Sequence, residues 1–452
     1  MKFPEILAPD APALRDDRSE RFVSYGELKT RAAAWAARLD GSKALVFLYV
    51  PNRVDGVAAL LGAWQAGHAV ALLDPGLGAE GRIALFDAYL PEYVIADDAD
   101  GNLDVSTGKA GPAPHQDLTL LLSTSGSTGS PKFVRLTSAQ IRHNAEAIAD
   151  VLDIRADEVG CGHLPLHYSY GLSILTSHLV RGAPVLLTER SFTDRAFWTQ
   201  ARAAKVAHMP GVPFHFQMMQ RLRYERLDLP DLRVLTQAGG GLSVEERRAA
   251  HSFMDGRGGR FYVMYGQTEA APRMTTLAHE DFPLTPDSVG TALPGGRLEI
   301  VDDQGEAVAP GENGLVIYRG PNVMWGYAER REDLALGDTN KGRLETGDIG
   351  RLDAAGRLTI SGRAKRFGKI YGLRVNLDEI ERAVAGMIGR CAVVQTGELL
   401  HIAHVDPIDG DVVARLADLF TIPRTAYRLH QIDAIPYTGR GKVDYRKLER
   451  EL

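Results

Sequence analysis

The residue types best suited to chemistry are concentrated in one short segment, TSGSTGSPK at positions 124–132. It follows an apolar run at 118–122 that has the length of a buried strand. Glycines let backbone N–H groups turn inward, hydroxyls donate to phosphate oxygens, and a lysine adds a positive charge. The spacing differs from that of a Walker A loop, which needs GxxxxGKS or GxxxxGKT. The segment therefore predicts a phosphate-binding loop of another class.

This loop resembles the signature loop of the adenylate-forming superfamily, which contains acyl-CoA synthetases, aryl and acyl ligases, peptide-synthetase adenylation domains and luciferases. Further motifs in the family's order extend the resemblance over about residues 20–448. The resemblance implies that the loop binds the phosphates of ATP. The loop residues expected to do so are Thr124, Ser125, Gly126, Ser127, Thr128, Gly129 and Lys132.

Two later segments are similar to the family's other nucleotide contacts. YGQTE at 265–269 resembles the aromatic-Gly-x-Thr-Glu motif. That likeness implies that Tyr265 stacks on adenine, Thr268 donates to the α-phosphate and Glu269 holds Mg²⁺ as a hard oxygen ligand. AGGGL at 238–242 resembles the stretch whose backbone lies against the adenine, where no side chain fits. The glycines expected to contact the nucleotide are Gly239, Gly240 and Gly266.

Three residues near the C-terminus complete the implied nucleotide site. TGD at 346–348 resembles the motif whose aspartate, here Asp348, accepts hydrogen bonds from the ribose hydroxyls. Arg363, 15 residues later, lies near the ribose in relatives. PYTGRGK at 436–442 resembles the loop that carries the catalytic lysine, which is Lys442 here. Lys442, Thr268 and Glu269 are therefore the expected catalytic residues.

The segment between these motifs resembles the hinge and first element of the family's C-terminal lid. Lys365 falls on the hinge position, where relatives carry Asp or Lys. Lys369 and Gly372 match the face that meets the thiol in the second half-reaction. Two departures, Gly368 for a β-branched residue and Asn376 for a glutamate, put the second half-reaction in doubt and leave the nucleotide contacts untouched.

The acid-binding segment differs from that of relatives that activate α-amino acids. Those domains carry an aspartate to pair with the ammonium, and LHYSYGL at 166–172 has none. Because an unpaired ammonium is costly to bury, we expect a non-amino acyl or aryl acid. His208 has two open interpretations, a pocket residue or a satisfied core histidine. The predicted acyl-pocket residues are Tyr168, Tyr170, Gly171, His208, Gly211, Val212 and Gly241.

The resemblance implies a reaction in two steps. A carboxylic acid and ATP give acyl-AMP and pyrophosphate, and the acyl group then passes to a thiol. That thiol belongs either to coenzyme A or to the phosphopantetheine of an acyl or peptidyl carrier protein. ATP, Mg²⁺ and one of these thiols are the expected cofactors, and a small carboxylic acid is the expected substrate.

Two other functions stay open on the sequence alone. GLGAEG, with Gly76, Gly78 and Gly81, satisfies GxGxxG between a predicted strand and a predicted helix. That is the pattern of a dinucleotide site in an NAD-dependent oxidoreductase. Asp74-Pro75 separates the strand from the glycines and favours an ordinary turn. The second alternative is a non-catalytic adenylate-binding homologue, although the catalytic residues that such a protein would lose are present.

These motifs need a scaffold to bring them together. Helical and strand-like patterns alternate from about residue 25 to 264, which predicts layered α/β subdomains with largely parallel sheet. Short strands after about residue 287 predict a β-rich lobe, and a small module follows. We expect an α/β protein with an N-terminal core at 1–362, its β-rich lobe at about 287–362, and a small mobile α+β lid at 363–452.

Composition excludes several other classes of protein. The 452 residues are 44% hydrophobic and 24% charged, which is typical of globular chains rather than disordered or fibrous ones. A net charge of −6 gives no basic field for nucleic acid or an anionic membrane. Two cysteines cannot form a disulfide framework, and we predict neither a signal peptide nor a transmembrane helix. We therefore expect a cytoplasmic protein.

Overall fold

The computed structural model describes residues 8–123, 132–364, 366–370, 373–408, 411–420, 422–438 and 443–452. Two compact units are found. The first contains residues up to 286 together with 291–297 and 319–344, and the second contains 287–290, 298–318 and 345–452. The mixed α/β class is confirmed, whereas the boundary between a core and a lid at residue 362 stays a prediction.

The larger sheet of the first unit has a parallel centre and antiparallel edges. Its central strands pair in parallel, and the strands at both ends pair antiparallel. In spatial order its strands are Thr291–Ala292, Arg273–Leu277, Arg260–Gly266, Val234–Gln237, Val206–Gly211, Val159–Gly162, Val185–Leu187, Pro12–Arg15 and Val23–Ser24.

The second sheet of this unit follows the same plan. Parallel strands form its centre, and antiparallel strands flank them. In spatial order its strands are Tyr327–Ala328, Phe133–Thr137, Leu118–Ser123, Ala69–Leu73, Leu45–Tyr49, Tyr93–Asp97 and Leu103–Thr107. The strand Leu118–Ser123 leads directly into the predicted phosphate loop, as the sequence indicated.

Helices alternate with these strands, and several begin at side-chain caps that the sequence supplies. Ser24, Thr137 and Ser243 each accept a hydrogen bond from the backbone three residues later, in capping boxes. The helices of the first unit are Tyr25–Ala36, Val54–Gln65, Ala79–Tyr89, Ser138–Val151, Ser169–Leu179, Arg195–Ala203, Pro213–Arg221 and Val244–Asp255.

The helix Ser169–Leu179 was not predicted, and its burial explains why. Each of its residues is buried, so the sequence lacks the polar face from which an amphipathic helix is recognised. The helix packs beside Ser138–Val151 within the apolar core of the first unit. It nevertheless begins within the predicted acid-binding segment at 166–172.

The second unit contains smaller sheets and three helices within its described residues. The strands of its largest sheet are Arg297–Val301, Gly314–Arg319, Arg343–Leu352 and Leu358–Arg363. The strands Phe367–Ile370 and Leu373–Asn376 form a hairpin, and Cys391–Thr396, Leu399–His404 and Tyr427–Gln431 form another sheet. The helices are Leu377–Ile388, Val412–Phe420 and Tyr445–Glu451.

Each unit encloses its own apolar core. Strand and helix side chains of the first unit form cores on the faces of its two sheets, for example around Trp64 and Phe47. The helix Leu377–Ile388 packs its apolar face, including Ile380 and Val384, into the core of the second unit. No helix within the described ranges combines the length and the apolar character needed to cross a bilayer.

Candidate active site

The YGQTE motif ends a central strand and turns into an antiparallel partner. Tyr265 and Gly266 close the strand Arg260–Gly266, a short 3₁₀ turn covers Thr268–Ala270, and the chain returns along Arg273–Leu277. A β-carbon on Gly266 would lie 1.9 Å from the carbonyl oxygen of Pro272. No other residue type fits that approach, so the glycine is required by the hairpin itself.

One tyrosine links two predicted nucleotide ligands. Lys132 Nζ lies 3.4 Å from the centre of the Tyr327 ring, and the Tyr327 hydroxyl donates to Glu269 Oε1 at 2.8 Å. Burial, followed by the neighbouring Glu269 carboxylate, raises the pKa of this hydroxyl above its usual value, so it keeps its proton. Sequence reasoning gave Tyr327 no chemical role.

The glycine segment lies beside the predicted acid-binding tyrosine. Gly239 has a φ of +79°, and a β-carbon there would lie 2.5 Å from the Tyr168 hydroxyl. Gln237 Nε2 donates to the carbonyl of Gly240 and holds the segment where it leaves the strand Val234–Gln237. A β-carbon on Gly241 would meet no atom within 4 Å. The predicted adenine segment and the predicted acyl pocket are therefore adjacent.

The start of the helix Ser169–Leu179 contacts the YGQTE motif. Ser169 Oγ and Thr268 Oγ1 are hydrogen-bonded at 3.0 Å. Tyr170, the next residue, is buried and bonds through its hydroxyl to the Oγ1 of Thr236 at 3.0 Å. These bonds bring the predicted acid-binding segment against the predicted α-phosphate ligand.

Arg273 is a polar residue of this region that sequence reasoning missed. Its guanidinium carbon lies 3.8 Å from the centre of the Tyr170 ring, and its Nη1 donates to Ser173 Oγ at 2.8 Å. Its side chain is 1% exposed, and burial lowers its pKa. The available signal was its position four residues after Glu269, as the first residue of an otherwise uncharged strand.

The other predicted pocket residues have different surroundings. Gly171 is required by backbone packing, because a β-carbon would lie 2.3 Å from the carbonyl oxygen of Pro165. Gly211 ends the strand Val206–Gly211, and Val212 follows it in the core that contains Tyr168. His208 is buried and contacts Glu158 Oε2 through Nε2 at 3.0 Å, which favours the core-histidine interpretation.

In the second unit, the two predicted ribose residues pair with each other. Arg363 Nε lies 3.0 Å from Asp348 Oδ1, and the two residues are opposite each other on neighbouring antiparallel strands. The Asp348 carboxylate is almost fully buried, whereas the Arg363 side chain is more than half exposed. The pairing places a buried carboxylate beside a partly exposed guanidinium, and the ribose roles of both residues stay predictions.

Of the predicted hinge and thiol-facing residues, Lys369 is described, and its backbone pairs with that of Arg374 in the hairpin Phe367–Ile370 and Leu373–Asn376. Several other predicted site residues lie outside the described ranges. The positions that are not described are Thr124, Ser125, Gly126, Ser127, Thr128, Gly129, Lys365, Gly372 and Lys442. Their roles stay predictions.

The described residues were also searched for metal ligands. Among them, no group of three or more His, Cys, Asp or Glu side chains is arranged to hold a metal ion. A single carboxylate such as that of Glu269 is compatible with Mg²⁺, because that ion is usually held by one or two protein carboxylates together with substrate phosphates and water. The Tyr327 hydroxyl donates to this carboxylate, so a bound cation would take the place of the hydroxyl or bind the other carboxylate oxygen.

The GLGAEG pattern forms an ordinary connection between a strand and a helix. The Gly76 N–H donates to Asp74 Oδ1 at 2.8 Å, which closes an Asx turn after the strand Ala69–Leu73. Gly78 then caps the helix Ala79–Tyr89. The turn interpretation accounts for this segment without a ligand.

Comparison with known proteins gives likenesses over nearly the whole chain. A family model described as AMP-binding enzyme matches residues 7–328. Feruloyl-CoA synthase from an Amycolatopsis species is 28% identical, over 97% of this chain and 95% of the relative. Indoleacetate–CoA ligase from Aromatoleum aromaticum is 30% identical, over 72% and 65% respectively. ATP-bound MatB from Rhodopseudomonas palustris has the same fold, with a TM-score of 0.82 at 22% identity over 98% of this chain and 96% of that one.

Proposed function

The chain belongs to the family of AMP-binding enzymes and is an AMP-forming acid–thiol ligase, and we propose that it activates a carboxylic acid without an α-ammonium group. The membership expected from the motifs is confirmed. ATP supplies the adenylyl group, and the acceptor in the second step is a thiol.

The two steps set distinct demands on the protein. In the first, a carboxylate oxygen attacks the α-phosphorus of ATP, the bond to the β-phosphate oxygen breaks, and pyrophosphate leaves. In the second, the thiol sulfur attacks the acyl carbonyl, AMP leaves, and the thiol proton is released. Since the first step joins two anions, catalysis requires alignment and neutralisation of negative charge.

The hydrogen bond between Ser169 and Thr268 is the observation that carries the proposal. It joins the predicted acid-binding segment to the predicted α-phosphate ligand at 3.0 Å, which is the proximity that attack of a carboxylate on the α-phosphorus requires. A site for two unrelated ligands would need no such contact.

The remaining roles are assigned residue by residue. Tyr265 is proposed to stack on the adenine, and Asp348 with Arg363 to hold the ribose. The phosphate loop with Lys132, together with Lys442, supplies positive charge to the reacting phosphate. Mg²⁺ at Glu269 would shield the phosphates of ATP when bound. Tyr327 positions the Glu269 carboxylate through its hydroxyl.

The absence of a carboxylate at 166–172 supports a non-amino acid as substrate. The guanidinium of Arg273 beside Tyr170 strengthens this argument, because it would repel an ammonium group in the same pocket. Feruloyl-CoA synthase and indoleacetate–CoA ligase carry coenzyme A in their names, which supports coenzyme A as the acceptor here. We place the reaction in the cytoplasm, where both ATP and reduced thiols occur.

The test is acid-dependent release of pyrophosphate, screened over carboxylic acids with ATP and Mg²⁺. We expect release with non-amino acids, and thioester formation when coenzyme A or a holo carrier protein is added separately. Lys442→Ala is expected to lower acid-dependent release at least about 100-fold while ATP still binds. Release at the normal rate from this variant would contradict the role of Lys442, and activation of α-amino acids alone would contradict the proposed acid class.

A further inference from the structure

The acid-binding region contains a buried positive charge that the two-step reaction does not use. After burial itself, the groups that act on the Arg273 guanidinium are the Tyr170 and Tyr168 side chains rather than a carboxylate. Burying a guanidinium without a counter-ion is unfavourable, so its presence requires either a structural partner or a ligand.

The hydrogen bonds of the guanidinium leave one edge open. Nη1 donates to Ser173, whereas Nε and Nη2 have no hydrogen-bond partner among the described residues. Nε and Nη2 lie on the same edge, and their N–H groups point in parallel. This is the fork that binds the two oxygens of a carboxylate.

The backbone around Arg273 holds this fork in place. Asn144 Nδ2 donates to the Arg273 carbonyl at 2.8 Å, and Asn322 Nδ2 donates to the same oxygen at 3.0 Å. Both asparagines are buried. The Tyr170 ring covers one face of the guanidinium, so the group is oriented before any ligand arrives.

Two serines on one helix relate Arg273 to the reacting end of the acid. Ser169 contacts Thr268, and Ser173 contacts Arg273. Residues four apart lie on the same face of a helix, separated by about 6 Å along its axis. The contact with the proposed α-phosphate ligand and the contact with Arg273 therefore lie about one helical turn apart along this helix, which is comparable to the length of a short carbon chain.

We propose that Arg273 binds a second carboxylate at the far end of the acid, so that the substrate is a short dicarboxylic acid. This inference rests on the proposed function and names the substrate class of that site. The carboxylate near Thr268 is adenylated, and the other is held by Nε and Nη2 of Arg273. A substrate whose far end is neutral leaves Nε and Nη2 of Arg273 unpaired, so its kcat/KM is expected to be lower.

Matched acids test the proposal in the unmodified enzyme. Pyrophosphate release is measured with dicarboxylic acids of about three to six carbons, with the monomethyl ester of each, and with the monocarboxylic acid of the same chain length. We expect kcat/KM for the best dicarboxylic acid to exceed that for its monoester about 100-fold. A preference for the monoesters or the monocarboxylic acids would overturn the inference while leaving acid activation intact.

Variants then assign the preference to the guanidinium. Arg273→Met is expected to lower the ratio of kcat/KM for the dicarboxylic acid to kcat/KM for its monoester about 100-fold, mainly by raising KM for the dicarboxylic acid. Arg247→Met, which removes another buried arginine from the first unit, is expected to leave the ratio unchanged. An unchanged ratio in Arg273→Met would overturn the role of Arg273. If no acid supports release in the unmodified enzyme, it is the proposed function that fails.

Discussion

Tyr327 illustrates how one side chain can connect groups that are far apart in the sequence. It lies 195 positions after Lys132 and 58 after Glu269, and contacts both. Its ring faces the lysine and its protonated hydroxyl holds the carboxylate. One side chain therefore contacts both the predicted phosphate-loop lysine and the predicted Mg²⁺ ligand.

The hydroxyl can be removed without changing the ring. Tyr327→Phe retains the contact with Lys132 and loses the hydrogen bond to Glu269, so we expect kcat for pyrophosphate release to fall about 10-fold with little change in KM for the acid. The Mg²⁺ concentration that gives half-maximal rate is expected to change as well. Tyr93→Phe is the matched control, because it removes a hydroxyl that donates to the backbone carbonyl of Asp40 near the opposite end of the same sheet. Equal kinetics in the two variants would refute the positioning role of Tyr327.

At the scale of elements, the hairpin formed by Arg260–Gly266 and Arg273–Leu277 positions the site. It places Thr268 and Glu269 in its turn and Arg273 at the start of its return strand. The register depends on the close approach at Gly266. A change there moves the proposed α-phosphate ligand and the proposed acid ligand together.

Gly266→Ala tests this dependence. The new methyl group would overlap the Pro272 carbonyl, so we expect the hairpin to separate locally and pyrophosphate release to fall more than about 100-fold. Gly78→Ala is the control, because a β-carbon on Gly78 meets no atom within 4 Å. Normal activity in Gly266→Ala would show that the hairpin does not set the site. Loss of activity in Gly78→Ala would revive the dinucleotide interpretation of residues 76–81.

A buried polar cluster connects three neighbouring strands of the larger sheet. Glu158 bonds to His208 and pairs with Arg233, and these residues lie in or next to Val159–Gly162, Val206–Gly211 and Val234–Gln237. Although burial acts to raise it, these hydrogen bonds lower the pKa of Glu158 from 4.5 to about 2. The resulting stabilisation is complete above pH 4.5 and is lost as the pH falls towards 2.

Glu158→Gln is therefore expected to lower the free energy of unfolding by about 2 kcal/mol at pH 7, since it removes the carboxylate charge that pairs with Arg233 and bonds to His208. The difference from the unmodified protein should narrow as the pH falls below 4.5, because the unmodified carboxyl group then takes up its proton. Urea unfolding at several pH values measures both effects. A difference that is constant with pH would contradict the role of the carboxylate charge.

At the scale of the whole molecule, two half-reactions must share one nucleotide site. The resemblance to the family implies that the C-terminal module presents Lys442 for adenylation and the strand near Lys369 for thiol transfer. Such an exchange needs a hinge, proposed at Lys365, because a rigid chain could satisfy only one of the two arrangements.

Lys365→Pro removes a backbone N–H and fixes φ at the proposed hinge. We expect acid-dependent pyrophosphate release to be retained within a few-fold and thioester formation to fall more than about 10-fold. Lys365→Ala, which leaves the backbone free, should support both steps. Equal loss of both steps in the proline variant would argue against a hinge at this position.

The elements with regular periodicity were predictable from the sequence. The helix Ser138–Val151 shows apolar spacing and begins after the Thr137 cap, and the strand Ala69–Leu73 is a short apolar run between turn residues, so both were predictable. The fully buried helix Ser169–Leu179 was not, because uniform burial erases the period. The same limit applied to the site. Motifs with a characteristic spacing were found, whereas Arg273 and Tyr327 belong to no spacing pattern that reveals their contacts.

The sequence by itself determined the family, the reaction class and the candidate nucleotide ligands, because those depend on short local motifs. The tertiary structure decided which residues meet. Tyr327 contacts Lys132 and Glu269, and His208 bonds to Glu158. Arg273 packs against Tyr170, and its Nε and Nη2 have no hydrogen-bond partner among the described residues. Local motifs require only neighbouring residues, whereas a pocket is assembled from distant segments whose distances and burial exist only in the folded chain.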